Sequence, residues 1–370
     1  MTLVIFAAIF FEIIQSLDLS GYRTDCLLIK KYGYPCEIHQ VVTEDNYVLE
    51  MHRIPNGHNS LAKPRGVVFL QHGLLSSSAE WVLMKPGRGL AYVLADIGYD
   101  VWMGNARGNT YSRNHVSLKP SSSSFWKFSW HEIGYYDLPA MIDYVLVNAG
   151  VSKVQYVAFS QGSTVFWVMM STRPEYNDKV VAMHALAPVA YVGNIRSPLI
   201  KAIAPFTNSL EVSMIFLVLS QVRQAITQAL CTNLLFLICG FNEEQLNTVM
   251  LGHTPAGAST RQFVHFGQLY KSEKFVQFDH GLVGNKRRYG TFKPPAYNLQ
   301  AIRTPVFLHY AENDWLSTPK DVKRLAEEIP SAIGIYKVPL ENFNHMDFVF
   351  AINATELIYN RLVNIMTQFN

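Results

Sequence analysis

Val154-Gln155-Tyr156-Val157-Ala158-Phe159-Ser160-Gln161-Gly162-Ser163 reads as a buried apolar strand running into a serine, with a helix starting at about Gln161. That is the layout of a nucleophile elbow, a tight strand-to-helix turn that lifts a serine hydroxyl into a cleft. The turn demands φ > 0 at the serine, a strained conformation costing on the order of 1–3 kcal/mol. It also demands small residues two positions before and two after. Gly162 meets the second demand. Ala158 departs from the usual G-x-S-x-G by one methyl, a tight fit rather than an exclusion.

On both sides of this stretch, strands alternate with helices. Val67–His72 is a compact apolar run ending in Gly73; Leu90–Ile97 has a helical pattern; Tyr99–Met103 is the next strand. Tyr136–Asn148 carries apolar residues at helical spacing, and Val180–Leu186 is a strand closed by Ala187-Pro188. From Ala190 to about Gln300 the alternation gives way to segments rich in Leu, Ile, Phe and Met. It resumes with the strand Pro305–Tyr310, a helix opened by Ser317-Thr318-Pro319, a last strand Ile333–Val338 and a C-terminal helix. The pattern predicts an α/β fold with a mostly parallel sheet covered on both faces. It divides the chain into a leader (1–20), a first core part (21–189), a cap or lid insertion (190–300) and a second core part (301–370).

A serine hydroxyl needs a histidine to take its proton, and the histidine needs a carboxylate to orient it. On this fold the order is serine, acid, histidine, each on a loop after a strand. Asp314 follows the strand ending at Tyr310, and His345 follows the last strand. Taken singly, Asp314 is a turn residue and His345 one of 12 histidines; in this order they form a candidate triad with Ser160. Two backbone N–H groups should face the oxyanion, from Gln161 at the helix start and from Leu74 in the loop after the first long strand. Nothing in the pattern calls for a cofactor or a metal.

The chain has 370 residues, 49% hydrophobic, 13% aromatic and 16% charged, a core-rich globular composition. A net charge of +3 is too small and dispersed to argue for nucleic acid. Residues 3–14 form a short apolar run that fits the centre of a secretory signal peptide, although Glu12 interrupts it and no Lys or Arg precedes it. Cleavage is expected between Gln15 and Gly21, leaving no transmembrane span in the mature chain, which then reads as a monomer. In an oxidising compartment, Cys26, Cys36, Cys231 and Cys239 admit three pairings, of which local pairing is the simplest. Asn353-Ala354-Thr355 is a glycosylation sequon.

Several segments resemble the acid lipase family of α/β-hydrolases. They are Gly33-Tyr34-Pro35, Thr43–Leu49, Gln71-His72-Gly73-Leu74-Leu75, Leu90–Asp96, Gly104–Ser112, Phe128–Glu132 and Asn344–Phe348. The resemblance runs almost end to end. It implies a secreted or lysosomal esterase acting on lipid esters at a lipid–water interface, with Ser160, Asp314 and His345 as triad. It also implies a Cys231–Cys239 disulfide, and implies nothing for Cys26 and Cys36. The family's elbow is usually Gly-His-Ser-Gln-Gly, and the insertion before Cys231 is shorter here than in vertebrate members. The competing reading is a lipid carrier on the same fold that has lost its chemistry, against which stand an intact serine, acid and histidine.

Overall fold

A computed structural model describes residues 24–58, 63–203, 238–240 and 253–369. The expected leader (1–20), Cys231 and much of the insertion lie outside these residues.

Nine strands form one sheet. They are β1 (Glu37–Val42), β2 (Tyr47–Ile54), β3 (Val67–Gln71), β4 (Asp100–Gly104), β5 (Asn114–His115), β6 (Val154–Phe159), β7 (Val180–Leu186), β8 (Val306–Tyr310) and β9 (Ala332–Lys337). Their order is β1-β2-β4-β3-β6-β7-β8-β9, with β5 against β2. The contacts from β4 through β9 are parallel, and those made by β1 and β2 are antiparallel. The antiparallel pair is an addition to the sequence reading, which begins the sheet at Val67. β1 is an exposed edge strand of mixed polarity (Glu-Ile-His-Gln-Val-Val) and lacks the apolar run that marks a central strand.

Helices cover both faces: α1 (Thr24–Lys31), α2 (Leu90–Asp96), α3 (Leu138–Ala149), α4 (Gln161–Thr172), α5 (Pro198–Ile203), α6 (Thr260–Ser272), α7 (Gly281–Tyr289), α8 (Pro319–Glu328) and α9 (Asn360–Met366). Successive side chains of a strand point to opposite faces, and β6 shows the consequence. Val154, Tyr156 and Ala158 enter one apolar cluster with Met141 and Val145 of α3 and Val165 of α4. Val157 and Phe159 enter the other, with Leu90 and Leu94 of α2 and Leu362 of α9. Such burial stabilises by roughly 1.5–3 kcal/mol per large apolar side chain, which is why β6 is apolar along its whole length. Between β4 and α3, the loop at Arg107 is held by a buried ion cluster: Arg107 meets Asp137 at 2.6 Å and Asp45 at 2.5 Å.

Two described parts of 190–300, at Ala256 and Gln262, reach loops at the C-terminal ends of the strands. Ala256 N–H donates to Leu75 C=O (2.7 Å), Thr110 Oγ1 to Ala256 C=O (2.9 Å) and Gln161 Nε2 to Gln262 Oε1 of α6 (2.7 Å). Trp130 stacks flat on His265 of α6, centroids 3.6 Å apart. No helix among the described residues is long and apolar enough to cross a membrane.

Candidate active site

Ser160 stands between β6 and α4 with φ 51° and ψ −120°, a left-handed conformation that a non-glycine residue adopts only when its surroundings hold it there. Its N–H donates to Leu186 C=O of β7 (3.0 Å), and its C=O accepts from the N–H and hydroxyl of Ser163 (2.9 and 2.6 Å). Gly162 is small for a local reason: a Cβ there would lie 2.3 Å from the Gln71 carbonyl oxygen at the end of β3. Ala158, the register partner of Gln71, is buried and turns its methyl into the apolar cluster. Gly73 is tight too, with Cβ space limited by the Phe159 ring at 2.9 Å and Ser160 Cβ at 3.3 Å. The loop after β3 therefore presses directly on the elbow.

His345 follows β9 in a turn that its neighbours lock. Asn344 N–H donates to Asp347 Oδ2 (2.7 Å), and Met346 N–H to Asn344 Oδ1 (2.9 Å). Asn344 Nδ2 donates to Gly240 C=O (3.0 Å), and His345 N–H to Cys239 C=O (3.4 Å). His345 Nε2 lies 2.9 Å from Ser160 Oγ, and Nδ1 lies 2.8 Å from Asp314 Oδ2. Asp314 is fully buried after β8, and its Oδ1 accepts from Leu316 N–H (2.9 Å) and Ser317 N–H (2.7 Å). A carboxylate facing Nδ1 assigns the proton there, leaving Nε2 as the acceptor for the serine hydroxyl. Phe159 closes the other side of the imidazole, ring centroids 5.0 Å apart. The structure thus brings together Ser160, His345 and Asp314, which are far apart in sequence.

Leu74 and Gln161 flank the elbow, and neither backbone N–H has an acceptor among the described residues. Leu75 has φ 63°, so the chain reverses just after Leu74. His72 anchors this loop: it donates from Nδ1 to Gly73 C=O (2.8 Å) and accepts at Nε2 from Ala106 N–H (3.0 Å) and Asn109 Nδ2 (3.2 Å). Burial pushes its pKa down to about 4, keeping the neutral tautomer this pattern requires. The His72-Gly73 pair is visible in sequence; its bracing role is not, because Ala106 and Asn109 arrive from another loop.

Cys231 lies outside the described residues, and Cys239 is a free, buried thiol among them. It sits between the loops carrying Asp314 and His345, where burial and then those carboxylates, Asp314 and Asp347, hold the thiol well above its ordinary pKa and therefore unreactive. Cys26 and Cys36 form the local bridge, Cα atoms 5.4 Å apart, tying α1 to β1. Asn353 is exposed ahead of the last helical segment.

Comparisons with known proteins agree with this architecture. Residues 27–85 match the family described as a partial alpha/beta-hydrolase lipase region, and residues 66–202 match the alpha/beta hydrolase fold. Lipase 3 of Drosophila melanogaster is 47% identical over 95% of this chain and 96% of its own. Human gastric triacylglycerol lipase is 38% identical over 92% and 90%. Among solved structures, the naproxen esterase of Bacillus subtilis superposes with a TM-score of 0.52 over 93% of this chain and 96% of its own, at 14% identity. A carboxylesterase of the same organism gives 0.53 over 94% and 96%, at 13% identity. At such identities the structural likeness speaks for the fold alone. The near end-to-end identity with the lipases carries the kinship: the chain belongs to the acid lipase family of α/β-hydrolases.

Proposed function

We propose that the protein is a serine hydrolase of lipid carboxylic esters, with Ser160 as nucleophile, His345 as general base and acid, and Asp314 as orienting carboxylate. The observation that carries this reading is the hydrogen-bonded line Ser160–His345–Asp314, with spacings of 2.9 and 2.8 Å, ending on a hydroxyl held at φ 51°. His345 takes the hydroxyl proton as Ser160 Oγ attacks the ester carbonyl, and Asp314 stabilises the imidazolium. The Leu74 and Gln161 N–H groups receive the oxyanion, an arrangement in which each donor is worth about 10²–10³ in rate. His345 then protonates the leaving alcohol. Water enters, gives its proton to the same nitrogen and releases the fatty acid from the acyl-enzyme.

Relatives named triacylglycerol lipases support a triacylglycerol as the leading substrate, taken from a lipid–water interface. Residues 190–300 act as a cap whose apolar segments line the acyl-chain site. The contacts of Ala256 with Leu75 and of Gln262 with Gln161 support that role. Secretory delivery, extracellular or lysosomal, is supported by the Cys26–Cys36 disulfide, the apolar leader and the exposed sequon at Asn353. A fluorophosphonate probe tests the chemistry: the native protein labels at Ser160, and failure to label while folded returns the chain to the silent-carrier reading. A panel of esters varying in acyl length and alcohol, run from acid to mildly alkaline pH, ranks the substrates.

A further inference from the structure

Glu80 is a buried carboxyl that the mechanism above does not use. It lies in the 3₁₀ turn Ser78–Trp81, with no basic side chain paired to it among the described residues. Its oxygens accept from the Gly73 N–H at 3.2 and 3.4 Å, and the Ser76 side chain lies near. Gly73 and Ser76 are the two ends of the loop that contains Leu74, and Ser76 N–H closes that loop on Gly73 C=O (3.3 Å). On the outer side, Ala256 N–H holds Leu75 C=O (2.7 Å). The loop is thus gripped from within by one carboxyl and from without by the backbone of the insertion, and the Leu74 N–H is left unengaged between them.

We propose that Glu80 is a positioning residue for the oxyanion loop, holding the Gly73 N–H so that the Leu74 N–H points into the cleft. The inference rests on the hydrolase reading above. A carboxyl without a counter-ion is costly to bury in its charged form, and a purely structural turn could satisfy the same N–H with a neutral group. Burial raises the pKa of Glu80 to about 8, with the Ser76 side chain and the Gly73 N–H opposing only in part. The grip is therefore made by a neutral acid at neutral pH. The ionisable groups around it are engaged elsewhere. Tyr359 donates its phenol to Phe348 C=O (2.9 Å), and burial, then Glu80, keeps it protonated. His72 is held neutral by burial. Asp347, on the single turn Asp347–Phe350 packed against Ser78–Trp81, accepts from Asn344 N–H. On β4, Asp100 is bound by Arg53. When Glu80 ionises, a negative charge appears one peptide unit from the donor for the developing oxyanion, and like charges at this range raise the barrier.

The experiment compares wild-type protein, Glu80→Gln and Glu80→Ala on a soluble short-chain ester. It reads kcat and KM separately from neutral to alkaline pH, with fluorophosphonate labelling rate and melting temperature in parallel. Glu80→Ala should lower kcat by about 10- to 100-fold with little change in KM, the size expected for a misdirected donor. Glu80→Gln, which keeps an acceptor for Gly73, should retain most of kcat at neutral pH. Wild-type activity should decline as pH rises through about 8, and Glu80→Gln should lack that decline. Wild-type kcat in Glu80→Ala, or the same alkaline decline in Glu80→Gln, overturns the proposal. Where Glu80→Ala does not fold, the Glu80→Gln profile decides alone. A wild-type protein that never labels sinks the hydrolase reading before any variant is made, and this inference with it.

Discussion

Ser160, His345 and Asp314 meet at the C-terminal edge of the sheet, while Ser78, His52 and Asp25 meet inside the fold, between α1, β2 and the turn after β3. Both groupings hold the three residue types within hydrogen-bond reach: His52 Nδ1 is 2.8 Å from Ser78 Oγ, and Ser78 Oγ is 2.6 Å from Asp25 Oδ2. They differ in where the protons point. Ser78 donates to Asp25 and accepts from Asn105 Nδ2 (3.0 Å) and from protonated His52, so both lone pairs are used and its proton faces a weakly basic carboxylate, not a neutral imidazole. His52 also reaches Glu50 at 3.1 Å. Burial opposes its charge, but Asp25 and Glu50 outweigh burial and raise its pKa to about 9, so both ring nitrogens donate. Ser78 is fully buried, whereas Ser160 is part-exposed beside two unengaged N–H groups. Composition and distance are therefore insufficient for nucleophilic catalysis; the direction of each hydrogen bond and access to the hydroxyl separate a triad from an electrostatic clamp.

The largest expected effect separates the two serines. Ser160→Ala should lower kcat by on the order of 10⁶ and abolish fluorophosphonate labelling, with the melting temperature kept. Ser78→Ala should label at the wild-type rate. Loss of labelling in Ser78→Ala without unfolding would show that the inner grouping also reaches the chemistry. Next in size is His52→Leu, which leaves Asp25 and Glu50 facing each other without the cation between them. Breaking a buried ion pair on one side costs about 3–5 kcal/mol, to be read from urea denaturation, and the folded fraction should still label normally.

The same contrast explains what the sequence could reveal. Ser160, Asp314 and His345 are legible because each lies in the loop that follows a strand, after β6, β8 and β9, and that local signal fixes both order and face. Leu74 is legible for the same reason, following β3. The inner grouping is not, because His52 lies on β2, Ser78 in a turn and Asp25 in α1, and nothing local links the three. Glu80 and Cys239 are illegible for a further reason: their roles come from the backbones they touch, at Gly73 and at His345, and not from neighbours in the chain. Strands β1 and β2 escape the sequence reading for want of the same local signal. The edge strand β1 is exposed and mixed in polarity, and β2 alternates buried with half-buried residues, so neither shows the continuous apolar run of β3 or β6.

The buried histidines extend the comparison to pH. His52 has a raised folded-state pKa, so the stability it contributes is complete below its unfolded value of about 6.5 and is lost as pH rises towards about 9. His184 and His309, on β7 and β8, go the other way. Burial pushes His309 down to about 3 and His184 well below its usual value, and neither ring nitrogen of His184 has a partner among the described residues. The unfolded chain binds protons there that the folded chain does not. Stability should therefore fall as pH drops below about 6.5, by up to about 1.4 kcal/mol per pH unit for each histidine. Melting temperature against pH should show a maximum near neutrality. His309→Phe should flatten the acid side only, and His52→Leu the alkaline side only; a variant that moves the opposite limb overturns the assignment.

The smallest expected effect lies at Ala158. If its methyl strained the elbow, glycine there would speed the reaction. The contact that makes Gly162 obligatory, however, is with the Gln71 carbonyl and not with Ala158. The Ala158 methyl sits in the apolar cluster with Tyr156 and Val165. Ala158→Gly removes that buried methyl and loosens a central strand, so it should cost about 1 kcal/mol of stability. Its labelling rate should stay within about twofold of wild type, a difference under 0.5 kcal/mol in barrier. A rate several-fold above wild type would mean that the methyl holds Ser160 away from His345, and that the departure from Gly-x-Ser-x-Gly slows this enzyme. A lower melting temperature with unchanged rate would mean that the alanine belongs to the core of β6, and that the elbow's geometry is set by Gly162 and the end of β3.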